Sequence, residues 1–202
     1  MDVTDSAPAS AIGLWENFVK ELGDDFLFSQ ILFHPAYGLL SDAIRSYDAN
    51  AVQAACAMCR AATEAGCYVF LTRRYDKIPG GTGGKAWLID YPKTLSGTPR
   101  DVSFGELSAA VKERKVLSPD EFVALRRIQE DGNLTVHLAA RQDRGLHDLT
   151  NRFDPRTRGP REHEPLTPSI RLGVSKEEAY LNIRDSTRII LRLVRSAGPW
   201  RE

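Results

Sequence analysis

Charge of one sign is missing from this sequence. Lys plus Arg and Asp plus Glu each number 27, and the formal net charge is zero. No global field therefore advertises a nucleic-acid or membrane partner, and any such partner must be met locally. Long apolar runs are missing too, and Met1-Asp2-Val3-Thr4-Asp5-Ser6 is acidic and polar, with neither a basic n-region nor an apolar h-region. The expectation is therefore a cytoplasmic protein without a helical membrane span, a secretory signal or a membrane partner. Cysteine is scarce: Cys56, Cys59 and Cys67 all fall in one alanine-rich stretch. Cys56 and Cys59 have CxxC spacing, but on a continuous helix they are ordinary i, i+3 neighbours, and no second CxxC or HxxxH completes a metal set. They are expected to be small core residues, without disulfide, metal or other cofactor.

What is present reads as helix. At 202 residues and 42% hydrophobic composition the chain suits one well-cored domain. The expected organisation is a disordered N-terminus over residues 1–10 and a single α-helical domain over 11–198. Ala11 to Leu22 carries Leu14, Phe18 and Leu22 every four residues, an amphipathic helix. Phe26 to Phe33 is an apolar run, readable as buried helix or strand, which His34-Pro35 is expected to end. A new helix from Ala36 places Tyr37, Leu40, Ile44 and Tyr47 on one side and stops near Asp48 or Asn50, either of which can cap the next helix. From about Asn50 to Arg73 small residues cover most of the circumference, as in the buried centre of a bundle. Arg60 and Glu64 lie on its narrow polar edge at i, i+4, the spacing of an intrahelical ion pair.

Residues 75–101 interrupt the helical pattern with Ile78-Pro79-Gly80-Gly81-Thr82-Gly83-Gly84-Lys85 and then Trp87-Leu88-Ile89. A phosphate loop would need Gly at Pro79 and Ser or Thr at Ala86, so the segment is read as an inserted loop with a short hairpin. Helix signals then return. Ser103-Phe104-Gly105-Glu106 and Ser118-Pro119-Asp120-Glu121 are capping boxes, the second with proline at the first helical position. The helix begun at Pro119 is expected to weaken at Asp131-Gly132 and to resume through His137 to about Arg141, which stacks Asn133 and His137 one turn apart. Residues 143–174 form a long irregular stretch. Between Arg141 and Arg161 stand six arginines (141, 144, 152, 156, 158, 161) against three aspartates (143, 148, 154). His147 and His163 lie there without a partner at metal spacing. Ser175-Lys176-Glu177-Glu178 opens the last helix with a third capping box. Ala179, Ile183, Ser186, Ile190, Leu193 and Ala197 make its inner face, and Arg184, Arg188, Arg192 and Arg195 fall within about 80° of arc opposite, a solvated face or a phosphate-binding stripe.

The order of these features resembles a prokaryotic family of unknown function in the HEPN superfamily: a small-residue helix carrying Arg60-Ala61-Ala62-Thr63-Glu64, a later Gly132-Asn133-x-x-x-His137, and a closing amphipathic helix. The likeness covers roughly residues 36–196, with 75–101 and 143–174 as insertions. It implies an all-α, up-and-down bundle of about five to six helices that often dimerises. Active members are metal-independent endoribonucleases whose motif is Arg, a polar residue often Asn, three residues, then His. Asn133 and His137 match that motif, while Gly132 occupies the arginine position.

Such cleavage uses the neighbouring 2′-hydroxyl as nucleophile. Its proton must be removed, the leaving 5′-oxygen protonated, and the charge on the phosphate stabilised. Histidine suits the proton work and arginine the phosphate. The candidate catalytic residues are His137, Asn133 and Arg127, with Arg60, Arg141 and Arg144 as substrate-binding cations; Arg127, Arg141 and Arg60 are the candidates to replace the missing motif arginine. Two functions are open. One is an RNA-binding or RNA-cleaving effector of defence or toxin type. The other is a non-catalytic, dimerising protein-interaction bundle in which Asn133 and His137 are a structural clasp. A partly exposed His137 in a groove with an arginine within reach fits the first, and a buried, satisfied His137 the second.

Overall fold

The computed structural model describes residues 7–74, 77–78, 87–88, 103–136 and 173–198. The periodic segments become α1 (Ile12–Leu22), α2 (Asp24–Asp48), α3 (Val52–Arg74), α4 (Phe104–Glu113), α5 (Pro119–Val136) and α6 (Lys176–Ala197). A two-residue antiparallel pairing, β1 (Lys77–Ile78) with β2 (Trp87–Leu88), lies where the short hairpin was expected, in the register Lys77↔Leu88. The fold is an all-α bundle. Its axis is α3, which packs against α2, α4, α5 and α6. Ala55, Cys56, Cys59, Ala62, Gly66 and Cys67 are all buried on it, and side chains this small let four neighbours approach one helix. Phe33, Leu40, Ile44 and Tyr47 from α2 and Ile183, Ile190 and Leu193 from α6 fill the remaining core.

The serine boxes set three helix starts as their sequences predict. Ser103, Ser118 and Ser175 each accept from the backbone N–H three residues on, while Glu106, Glu121 and Glu178 reach back to the serine N–H at 2.7–2.8 Å. Each reciprocal pair satisfies two donors that a helix start otherwise leaves open. Between α1 and α2 the turn falls on Gly23 at φ 55°, left-handed backbone that a residue with a Cβ adopts only with strain.

Several expectations are corrected. Proline does not end a helix at His34-Pro35: α2 runs through it. Pro35 removes the N–H that the Ile31 carbonyl would receive, but both residues are exposed, Ile31 at 86%, so water can serve that carbonyl. The apolar run before it is only half inside. Phe33 is buried and Phe26 packs against the core, while Leu27, Phe28, Ile31 and Leu32 stand exposed on the outer face. Asp48 caps the start of α1 rather than of α3, accepting from Ala11 N at 2.9 Å and Ser10 Oγ at 3.1 Å. The Tyr47 hydroxyl donates to the Pro8 carbonyl. Residues 8–11 are thereby fastened to the end of α2 instead of hanging free. Asn50, the other proposed cap, turns the chain at φ 61°. Finally, α5 continues unbroken through Gly132 to Val136. His137, the basic stretch 141–161 with Arg141, Arg144 and His147, and His163 lie outside the described residues.

Where α1 meets α2, Tyr37 is 4% exposed, and its hydroxyl shares a 2.7 Å hydrogen bond with Ser29 Oγ. Burial pushes its pKa up to about 12, with the Ser29 bond opposing and Asp25 adding to the rise. The unfolded chain gives up this proton near pH 10 and the folded chain only near pH 12. The folded state therefore holds more protons across that window, and stability falls as pH rises through it. In urea titrations between pH 9 and pH 12 (roughly the range where tyrosine ionises), Tyr37→Phe is expected to show the shallower loss. An equally steep loss in the variant would assign the effect elsewhere.

Candidate functional site

Two helices approach closely where α3 crosses α5. A Cβ at Gly132 would stand 2.4 Å from the Arg60 Cβ, 2.6 Å from its Cδ and 2.9 Å from its Cγ. No side chain fits there unless the helices part. Gly132 is thus not a helix break; its missing side chain makes room for the stem of Arg60, a close-approach use of glycine inside a helix. From Gly132 the Arg60 guanidinium reaches Glu64 (Nη1 to Oε2, 3.2 Å) and lies over the Phe104 ring, 5.7 Å from its centroid. Among the described residues its Nε, shut off from solvent, has no acceptor. Burial raises the Glu64 carboxyl above its ordinary pKa, and the neighbouring Arg60 pulls it part of the way back. Asn133, the next residue of α5, is half-buried. The Arg60 stem, the Glu64 carboxyl and the motif glycine are therefore gathered at one helix crossing, with Asn133 next along α5.

Arg127 belongs to a different cluster, the seam between α5 and α6. Its Nε donates to Asn182 Oδ1 (3.2 Å), and its Nη2 donates to Asp185 Oδ2 and to the Leu181 carbonyl (3.4 Å). Asn182 Nδ2 in turn donates to Asp131 Oδ2 (3.0 Å) and lies 3.5 Å from Cys56 Sγ. Asp131, Asn182 and Asp185 are all buried. Asp185 Oδ1 also receives Arg184 Nε at 3.1 Å and stands 3.9 Å from Arg188 Nη2. A buried polar network of this kind fixes the register of two helices because Arg127 and Asp131 of α5 find Asn182 and Asp185 on α6. Thr63 Oγ1 meets Ser186 Oγ at 3.1 Å where α3 crosses α6.

Of the sequence-predicted site residues, the structure brings Arg60 and Gly132 together with Asn133 following, and sets Arg127 against α6. His137, Arg141 and Arg144 fall outside the described residues. Sequence reasoning missed Asp131, Asn182 and Asp185 as a network. A signal existed for Asn182: it lies between Ala179 and Ser186 on the inner face of α6, where a polar residue demands a partner.

Among the described residues no group of three or more His, Cys, Asp or Glu side chains is placed to hold a metal ion, and no helix is long and apolar enough to cross a membrane. The class these residues define is an all-α bundle with a polar helix crossing. Comparison of the chain with family models, curated proteins and solved structures finds no match.

Proposed function

We propose that the chain is a HEPN-like, up-and-down helical bundle acting on RNA as a binding or metal-independent cleaving effector of defence or toxin type, working as a homodimer. The observation that supports this most is Arg60 on Gly132: the position that lacks the motif arginine is covered by the stem of an arginine from α3. A side chain at 132 and the Arg60 stem exclude one another sterically, and on this proposal α3 supplies the cation that α5 lacks. In this reading His137 takes the 2′-hydroxyl proton as the 2′-oxygen bonds to phosphorus and the 5′-oxygen leaves. Asn133 orients the phosphate, and Arg60 stabilises its charge through the part of its guanidinium side chain that stays exposed beside Glu64. The leaving 5′-oxygen takes its proton from solvent. Arg141 and Arg144 add phosphate contacts from the basic stretch.

The test is cleavage of a fluorescent RNA pool in EDTA. Wild type is expected to cut; His137→Ala should lose about 10²–10⁴-fold, and Arg60→Gln a comparable factor with folding intact. A wild type that leaves the pool whole, or a His137→Ala protein that cuts as fast, sinks the assignment.

A second reading, a non-catalytic bundle that dimerises or holds a protein partner, is favoured by the strip Leu27, Phe28, Ile31 and Leu32 on α2, exposed at 68, 50, 86 and 42%. Clustered apolar exposure of that kind marks association surfaces. It predicts that Ile31→Glu shifts the sedimentation coefficient of the protein to that of a monomer, and that no RNA is cut.

A further inference from the structure

The arginine stripe of α6 does not simply face solvent. Arg184, Arg188, Arg192 and Arg195 wall a groove of about 430 Å³ that Leu14 and Phe18 of α1 complete. All four side chains are about half exposed, between 48 and 54%. Each has an acidic partner, and two of these partners, Glu21 and Glu121, line the same groove. Asp185 takes Arg184 and Arg188; Glu121, already capping α5, stands 3.6 Å from Arg192; Arg195 donates to the Glu21 carbonyl at 2.7 Å and approaches its carboxylate at 3.5 Å.

These contacts orient the guanidinium groups without neutralising them. Asp185 is shared by Arg184 and Arg188 and by Arg127 of the α5–α6 seam, so the four groove arginines meet three carboxylates, of which Glu21 and Glu121 line the groove themselves. A surplus of positive charge is therefore concentrated at one groove of a chain whose formal net charge is zero. Half-exposed ion pairs hold weakly, whereas a guanidinium fork matches two phosphate oxygens at once. Positions 184, 188 and 192 advance about 6 Å per step along the helix axis. Such a row, one guanidinium per helix turn, presents repeated positive charge along a line. An evenly spaced row suits a polymer charged at every unit better than a single small anion.

We propose that this groove between α1 and α6 binds the phosphate backbone of a single-stranded nucleic acid. It uses none of the residues placed at the Arg60 crossing. Its readout is binding, not cleavage, so failure of the cleavage reading leaves it measurable.

The experiment is fluorescence anisotropy of a labelled 2′-O-methyl oligouridine, which has no free 2′-hydroxyl to attack, titrated with the full chain at several KCl concentrations. For three to four phosphates held, log K should fall against log salt with a slope of about −2 to −3. The double variant R188Q/R192Q should bind at least about tenfold more weakly and flatten the slope by about 1.4, roughly 0.7 for each phosphate no longer neutralised. R188K/R192K, which keeps charge but not the fork, should hold the slope near wild type, and matched thermal melts show that both variants fold. Three outcomes overturn the proposal: no binding by wild type at low salt, an unchanged slope in R188Q/R192Q, or displacement by polyglutamate as effective as by unlabelled oligouridine. The last would assign the groove to acidic peptide.

Discussion

Adding one methyl group at Gly132 is expected to destabilise the protein by about 1–3 kcal/mol, the usual cost of overpacking a fitted site. Away from contacts, alanine for glycine in a helix interior gains about 1 kcal/mol, so the expected sign is reversed by the neighbour alone. The opposing atom is decisive. At 2.4 Å the new carbon meets the Cβ of Arg60, fixed to the α3 backbone, so no rotamer change relieves the overlap and α3 and α5 must separate. Gly132→Ala should lower the melting temperature by about 3–10 °C at this chain length. Arg60→Gly removes the obstructing carbon, and in that background Gly132→Ala should become neutral or stabilising. A double-mutant cycle followed by circular dichroism measures the coupling. Additive single effects would mean that the two helices do not meet there as described.

Asp185→Ala is the second large effect, about 2–4 kcal/mol. The carboxylate is almost wholly buried, at 4% side-chain exposure, while Arg127 opposite it is 36% exposed. Removing one partner of a buried pair costs about 3–5 kcal/mol, and the cost is lower here because water can reach the arginine that remains. The loss reaches beyond one pair. Arg127 would keep only Asn182 and the Leu181 carbonyl, and Arg184 and Arg188 would lose their common acceptor. Arg188→Gln, which removes only a half-exposed partner at 3.9 Å, should cost under about 0.5 kcal/mol. Urea unfolding of the two variants distinguishes a carboxylate that organises the seam from one that merely ends a surface ion pair. Equal midpoints would exclude the organising role.

Helix starts were legible because a capping box is a local device, complete within four residues, and the inner face of α6 was legible because its period is unbroken. Pro35 and Gly132 misled for a common reason. Each is a helix breaker by propensity, and each is overruled by where it sits: Pro35 on a face open to water, Gly132 under a side chain 72 positions away (132 less 60). Propensity carries no information about a partner that distant. The Arg60–Glu64 pair could be read from its spacing, but not the crossing that places it on the motif. Asp185 was passed over because next to a row of arginines an aspartate reads as surface, whereas its neighbour Ser186 already marks the buried side.

The three cysteines of α3 give the bundle a property beyond packing. All are buried and unbridged; burial pushes the Cys67 thiol up to about 12, with Glu64 adding to the rise, and raises Cys59 strongly as well. Alkylating reagents and oxidants act on thiolates, a form that burial disfavours at both positions. Modification of the Cys59 and Cys67 thiols is therefore expected to follow how often the central helix is uncovered, which makes them a clock for opening of the bundle rather than sensors of their surroundings.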